Sequence, residues 1–390
     1  MKTEELRQIA DTYHTPCYVF DLVSLKERIC AAKQLIDGHY RLCFSMKANP
    51  FLAEEIAPLV DQVEVCSPGE LAICRRKNIV PEKILYSGVN KGSVDVDDAV
   101  GRGCTVITAE SVHQLDLIEA CGARHGQRIP VLLRLTSGNQ FGMDLDEIYE
   151  ILASLSDYPH VCVQGLHYFA GTQRNVKSQK KDIAMLMDIY SEVRKRYGIG
   201  LARLEYGPGL MAYLFAKEDR SDTLKPLRDI QENLCQLAGM TELTVECGRF
   251  MCAYCGYYLT SAADVKTSKG TSYCIVDGGI HQVCYDGSMM GMNAPEVVLL
   301  DGDVGKMSDW CVCGSLCTVN DVLIRRLHAP LGIGSRLAFC NAGAYAVSEG
   351  MSLFLSRQLP AVVFHREEEN DELVRDFIDT GMFNAPEKEM

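Results

Sequence analysis

Between about residue 40 and residue 247, short apolar or β-branched runs alternate with stretches of helical periodicity. That alternation predicts repeated strand and helix units feeding a parallel sheet, because each helix returns the chain to begin the next strand in the same direction. Eight strands are countable: RLCFS (41–45), VEVCS (63–67), ILYSG (84–88), TVITA (105–109), VLLRL (131–135), VQGLHYF (163–169), LARLEYG (201–207) and LTVECG (243–248). Together they predict a (β/α)8 barrel over residues 22–248, with its chemistry at the carboxyl ends of the strands. After Glu246 the texture changes to alternating runs such as YCGYYLTSAADV and TSYCIVD, separated by turn residues. This predicts a second, mostly β domain over 249–390, joined by residues 1–21, where TPCYVFD (15–21) reads as a strand. The tail REEENDELVRDF reads as a charged, solvated helix. The predicted fold class is therefore α/β, a TIM barrel with a second, mostly β domain.

Composition narrows the chemistry. The chain has 390 residues, 47% of them hydrophobic, enough for a barrel and a further domain. A net charge of −13 with no run of Lys and Arg excludes the basic footprint that a nucleic acid or an anionic membrane requires. No apolar stretch approaches the ~20 residues of a membrane span. The 18 cysteines would suggest disulfides in a short secreted chain, but this chain is long and MKTEELRQIA lacks the apolar run of a signal peptide. A reduced, cytoplasmic protein is expected. Cys252 and Cys255 form one C-x-x-C, without a second pair or histidines at ligand spacing, so no metal site is expected.

Three places could carry chemistry. Lys47, in SMKANP, directly follows the first barrel strand, which puts its amine at the catalytic rim; a salt-bridged rim lysine is the alternative reading. EYGPGLM (205–211) closes the seventh strand, where barrels of this kind hold phosphate, although G-P-G alone is only a turn signal. Glu246 ends the eighth strand beside Arg249, where a carboxylate could meet a protonated ring nitrogen or form a buried ion pair with that arginine.

These motifs together resemble the fold-type III pyridoxal-5′-phosphate (PLP) decarboxylases, the group of the diaminopimelate, ornithine and arginine decarboxylases with an alanine-racemase-like barrel. The resemblance rests on SMKANP, CSPGEL (66–71), GLHYFAGTQ (165–173), YGPGL (206–210), ECGR (246–249), GSLCTVND (314–321) and NAGAYAVSEG (341–350). It implies PLP as cofactor, with Lys47 as its Schiff-base lysine and Glu246 paired with the pyridine nitrogen. Gly207 and Gly209 would hold the phosphate, with Gly248 and Tyr345 also beside the cofactor, and Arg249 would approach both cofactor and substrate carboxylate. Cys317 would protonate the carbanion left by decarboxylation, its alternative being a packed apolar cysteine. Cys317 and Asp321, spaced C-x-x-x-D, would enter the active site of a second subunit, which implies a homodimer with shared sites.

The chain also departs from that family. Where the family reads GLHFHIGSQ, the histidine that stacks on the cofactor ring is matched by Phe169, which keeps an aromatic face and loses the imidazole. His167 shares a strand face with Phe169 and could lie one layer deeper or pack in the core. The arginine that reads a distal carboxylate in diaminopimelate enzymes falls on Tyr285, the following tyrosine on Met289, and the acidic residue after the catalytic cysteine is Thr318. With Arg249, Thr318, Asp321 and Tyr345 at the substrate, the expected reaction is α-decarboxylation of an amino acid or derivative with a neutral distal end. A free amino acid or an aminoacyl thioester on a carrier protein would satisfy this. Diaminopimelate decarboxylation, racemisation and non-enzymatic PLP binding are the alternatives; the C-x-x-x-D segment speaks against a racemase, and the β domain against a single-barrel PLP-binding protein.

Overall fold

The computed structural model describes residues 1–302, 304–366 and 371–385. A short first strand, β1 (Cys17–Asp21), precedes eight parallel strands, β2 (Arg41–Ser45), β3 (Gln62–Val65), β4 (Ile84–Tyr86), β5 (Val106–Ala109), β6 (Ile129–Leu135), β7 (Val161–Phe169), β8 (Arg203–Gly207) and β9 (Glu242–Cys247). The eight close into a barrel in sequence order, with β2 and β9 in register at Leu42 and Val245 and at Cys43 and Glu246. All eight expected strands are present, with ends shifted by a residue or two, as is usual for strand boundaries.

The chain divides into two compact units. One comprises Arg28–Ala212 and Asp222–Met251 and holds the barrel. Its wall is apolar on both faces because helices cover the outside, so β4, β5 and β6 bury Leu85, Val106 and Leu132 against one another. Longer covering helices are bounded by local signals. The helix Val176–Tyr197 begins at Asn175, whose side chain accepts from the amide of Ser178, and stops at Gly198 in the left-handed region.

The other unit comprises Met1–Glu27, Tyr213–Ser221 and Cys252–Met390. Its strands are β1, β10 (Gly256–Ser268), β11 (Thr271–Val276), β12 (Val297–Leu299), β13 (Lys306–Cys313), β14 (Val322–Leu331), β15 (Arg336–Cys340), β16 (Ala361–His365) and β17 (Asp371–Arg375). They form one sheet ordered β14-β13-β11-β10-β1-β16-β17, with β15 on β10 and β12 on β15. The strand expected at 15–21 thus pairs antiparallel with β10 and parallel with β16. An N-terminal helix, Thr3–Tyr13, went unforeseen; it buries Leu6, Ile9 and Ala10 against Val19, Leu259 and Val363 of the sheet.

The expected charged helix at the tail is corrected by the structure. Asp371–Arg375 form β17, antiparallel to β16, while 367–370 lie outside the described residues. Helical propensity yields here to an available sheet edge: Leu373 faces Val363, a hydrogen bond joins His365 Nδ1 and Asp371 (2.8 Å), and an ion pair joins Arg366 to Glu372 (2.9 Å). Charges on that outer strand also discourage pairing with another chain. For the barrel wall, truncating a fully buried side chain removes its transfer energy and leaves a cavity. Leu132→Ala is expected to lower the free energy of unfolding by about 2–5 kcal/mol in denaturant titrations followed by circular dichroism.

Candidate active site

Lys47 stands in a single 3-10 turn, Met46–Ala48, directly after β2. Met46 and Ala48 are buried on either side, and the Asn49 side chain accepts from the amide of Phe51 to start the next turn. SMKANP therefore fixes the backbone and leaves the lysine as the group that reaches out. Lys47 Nζ lies 2.8 and 3.1 Å from the two carboxylate oxygens of Glu64 on β3, 3.6 Å from Cys66 Sγ, and 5.6 Å from the centre of the Phe169 ring. Its side chain is 36% exposed against 3% for Glu64, so the pair spans from barrel interior to solvent.

Glu64 also accepts from Ser87 Oγ (2.5 Å) and Cys66 Sγ (3.2 Å). Burial favours its neutral form, but Lys47 and His167 beside it, with the hydrogen bonds from Lys47 and Ser87, outweigh burial and hold the carboxyl well below the usual range. Burial pushes the Cys66 thiol up, and the Glu64 charge adds to this, so it donates as a thiol.

On the facing wall, His167 Nε2 lies 3.4 Å from Glu246 Oε2, both side chains buried. The remaining groups, Glu246 Oε1 and His167 Nδ1, are buried without a hydrogen-bond partner among the described residues. His167 is thus the deeper histidine that strand alternation allows, set against the carboxylate that ends β9. A third acid, Glu205 on β8, is 1% exposed, and burial, then repulsion from Glu246 and Glu64, pushes it far above the carboxylate range. Its neutral form is favoured, and the thiol of Cys43 nearby is also pushed up by burial.

The loop after β8 forms a tight cradle. A Cβ at Gly207 would lie 2.5 Å from the Phe169 ring and 2.8 Å from Glu246 Oε2, so glycine there lets these two side chains approach the chain. Gly209 has φ +62°, and a Cβ would strike the carbonyl of Gly171. The two loops are laced together: the Arg174 amide donates to Gly209 O (2.8 Å), Gln179 Nε2 to Pro208 O (3.0 Å) and Gln173 Nε2 to Ala212 O (2.8 Å). Gly248 is pressed as closely, since a Cβ would meet that of Ala48 at 2.9 Å, and Arg249 follows, buried.

The barrel unit therefore brings Lys47, Phe169, Gly207 and Glu246 into one linked set of contacts, with Gly209, Gly248 and Arg249 adjoining in the chain. Sequence reasoning missed Glu64, Cys66, Ser87 and Glu205. Glu64 and Glu205 left one signal, an acidic residue inside an otherwise apolar strand of a buried sheet.

The remaining expected residues belong to the β unit. Cys317 is exposed and Thr318 half-buried on the loop between β13 and β14. Asp321 is 2% exposed, and its two oxygens accept from the amides of Ile280 (2.9 Å) and Leu316 (2.8 Å). It clasps this loop, aided by the amide of Gly314 on its own carbonyl at 3.0 Å. Tyr345 is half-buried with φ +65°, its carbonyl accepting from the amides of Ser348 and Glu349. Tyr285 is buried, its hydroxyl donating to Cys340 O at 2.8 Å, and Met289 is exposed.

An eight-stranded barrel with a lysine after its first strand, a glycine cradle after its seventh and a carboxylate on its eighth defines a pyridoxal enzyme of the barrel type. The chain belongs to the pyridoxal-dependent decarboxylases: residues 22–253 match that family's pyridoxal binding domain. It is an amino-acid decarboxylase whose reaction is PLP-dependent loss of the α-carboxylate. Among its relatives, it is 28% identical to the L-glutamyl-[BtrI acyl-carrier protein] decarboxylase of Niallia circulans, over 93% of this chain and 91% of that protein. It is 23% identical to the diaminopimelate decarboxylase of Aquifex aeolicus, over 87% and 84% of the two chains. The structure of the M. jannaschii diaminopimelate decarboxylase with L-lysine superposes with a TM-score of 0.85 at 20% identity, covering 99% of this chain and 94% of that one. No described helix is long and apolar enough to cross a membrane.

Two outcomes test this arrangement. Because Glu205 is favoured as a neutral acid, its folded pKa lies above the unfolded value, so its contribution is complete below the unfolded pKa and is lost as pH rises toward the folded one. Glu205→Gln, which mimics the neutral acid, is expected to gain stability over the native protein as pH is raised from about 5 to about 8 in thermal unfolding; parallel profiles would contradict the protonated assignment. Borohydride reduction of the cofactor-loaded protein followed by peptide mapping is expected to mark Lys47, and a mark on another lysine would overturn the site.

Proposed function

We propose that this enzyme binds pyridoxal 5′-phosphate through Lys47 and removes the α-carboxylate from an aminoacyl group whose far end is neutral, carried as a thioester on a carrier protein. The observation that carries the cofactor assignment is the orphaned oxygen of Glu246, buried beside the Gly207 cradle that a Cβ would fill. A buried acceptor without a donor costs about 1–3 kcal/mol unless a ligand supplies one, and a protonated ring nitrogen is such a donor. The residues fit the group.

When bound, the cofactor supplies an electron-poor ring that takes up the electron pair left at Cα as CO2 departs. The protein's own groups do the rest. Lys47 Nζ, beside Glu64, would be the amine that attaches the cofactor. Glu246, with His167 beside its other oxygen, would offer the acceptor for a ring N–H. Gly207, Gly209 and Gly248 leave backbone space for the phosphate and ring, while Phe169 offers an aromatic face. Arg249 would supply a cation for a carboxylate, and a substrate role for Tyr345 is supported by the family resemblance. Cys317 delivers a proton to Cα, with Thr318 beside it, and Asp321 acts by clasping their loop. That loop serves the site of a second subunit in a homodimer, a reading supported by the family resemblance. A cytoplasmic setting is supported by the 18 cysteines of a long chain, a content suited to a reducing compartment.

The substrate reading rests on missing charges. A distal ammonium or carboxylate costs several kcal/mol to desolvate unless an opposite charge meets it. Thr318 stands at the acidic position, and the Tyr285 hydroxyl at the basic one is already engaged by Cys340 O. The Niallia circulans relative is named for a glutamyl group on an acyl-carrier protein; a thioester tether on this enzyme's substrate would replace a charged end with a neutral one. The expected outcome is a kcat/KM for a glutamyl thioester at least about tenfold above those for diaminopimelate, ornithine and lysine, or ~1.4 kcal/mol of transition-state discrimination. A free diamino acid winning by that margin would place the missing charge on another residue.

A further inference from the structure

Cys311 and Cys313 lie two residues apart on β13, so their side chains share a face of the sheet. Their sulfurs are 3.7 Å apart, in van der Waals contact, and both residues are half-buried. On one side β13 is regular, with Cys311 opposite Tyr273 and Cys313 opposite Ile275 of β11. On the other side its register with β14 slips twice, between Trp310 and Val312 and again between Val312 and Cys313. The end of β13 that carries both thiols is therefore laddered firmly on one edge only. It has room to change its local twist.

We propose that Cys311 and Cys313 are an oxidisable dithiol that closes to a reversible disulfide when a hydroperoxide reaches it. Two residues of strand separate their α-carbons by roughly 6.6 Å, at the upper edge of the range a disulfide accepts. A bridge closed there is strained, and strained bridges are the easily reduced, reversible kind. Burial, then the neighbouring Cys311, pushes the Cys313 thiol up to about 12, so Cys313 keeps its proton at neutral pH and enters second.

The chemistry balances. The Cys311 sulfur, as thiolate, attacks one peroxide oxygen; an S–O bond forms, the O–O bond breaks, and the departing oxygen takes up a proton as water or alcohol. The Cys313 sulfur then attacks the Cys311 sulfur, the S–O bond breaks, and water leaves with the Cys313 proton as the S–S bond forms. Each sulfur gives up one electron, and the hydroperoxide gains two. The bridge would sit at the root of the Cys317 loop, because Cys313 is followed by Gly314, whose amide is bound 3.0 Å from Asp321 O.

The test is made on the full-length protein without substrate, so its outcome does not depend on the decarboxylase reading. The protein is treated with hydrogen peroxide, alkylated, digested and mapped by tandem mass spectrometry, with and without prior reduction by dithiothreitol. The expected result is a peptide about 2 Da lighter, with the lost hydrogens localised to Cys311 and Cys313 and alkylation of both restored by the reductant. Cys311→Ser and Cys313→Ser should each abolish that species. The proposal is overturned if both thiols stay open to alkylation, if either is carried on to sulfinic acid alone, or if Cys317 pairs with one of them.

Discussion

The site depends on how a mostly apolar barrel tolerates three acids in its interior. Isolated, an ionised carboxylate taken out of water costs several kcal/mol, so each must be paired or neutralised. Glu64 is paired, with Lys47, Ser87 and Cys66 all within reach of its oxygens. Glu205 is neutralised, because burial and two acidic neighbours favour its protonated form. Glu246 is half satisfied, with His167 on one oxygen and no partner among the described residues on the other. This gradient, from neutral acid to ion pair to open acceptor, leaves Glu246 Oε1 an unmet acceptor beside the Gly207 cradle. A cofactor with a protonated ring nitrogen is the group we propose for it.

The β unit shows the same economy in one residue. Asp321 could be read as a substrate ligand because it follows the cysteine at family spacing, yet its two oxygens are taken by backbone amides. A carboxylate so engaged shapes a loop; it does not reach for a ligand. It holds Cys317 and Thr318 in a fixed turn, which matters for the proton donor proposed at Cys317 because misplacement of about 1 Å can cost a hundredfold in rate.

Much of this was legible in the chain, for identifiable reasons. Barrel strands buried on both faces read as continuous apolar runs, and a lysine or glutamate just past such a run falls on the rim by geometry alone. Glu64 and Glu205 were less legible, because a strand's period shows which side a residue faces and not whether a cation, a hydroxyl or a proton will neutralise it there. Those partners, Lys47 and Ser87 among them, come from other strands. The tail misled because its acidic residues favour a helix in isolation, while β16 offered Asp371–Arg375 an open edge. The helix Thr3–Tyr13 gave only three buried positions as a signal, and its apolar face is explained by the sheet it covers.

At the centre stands the proposal that the open oxygen of Glu246 supports decarboxylation by holding the ring proton of the cofactor. Its most direct test is the single-turnover rate of labelled CO2 release from Glu246→Gln against the native enzyme, with cofactor attachment to Lys47 verified in both. The amide's acceptor oxygen carries no charge to stabilise a protonated ring, so the predicted result is a loss of at least about a hundredfold, or ~2.7 kcal/mol, with the cofactor still attached. A variant that releases CO2 within about threefold of the native rate, a difference under ~1 kcal/mol, would contradict the account.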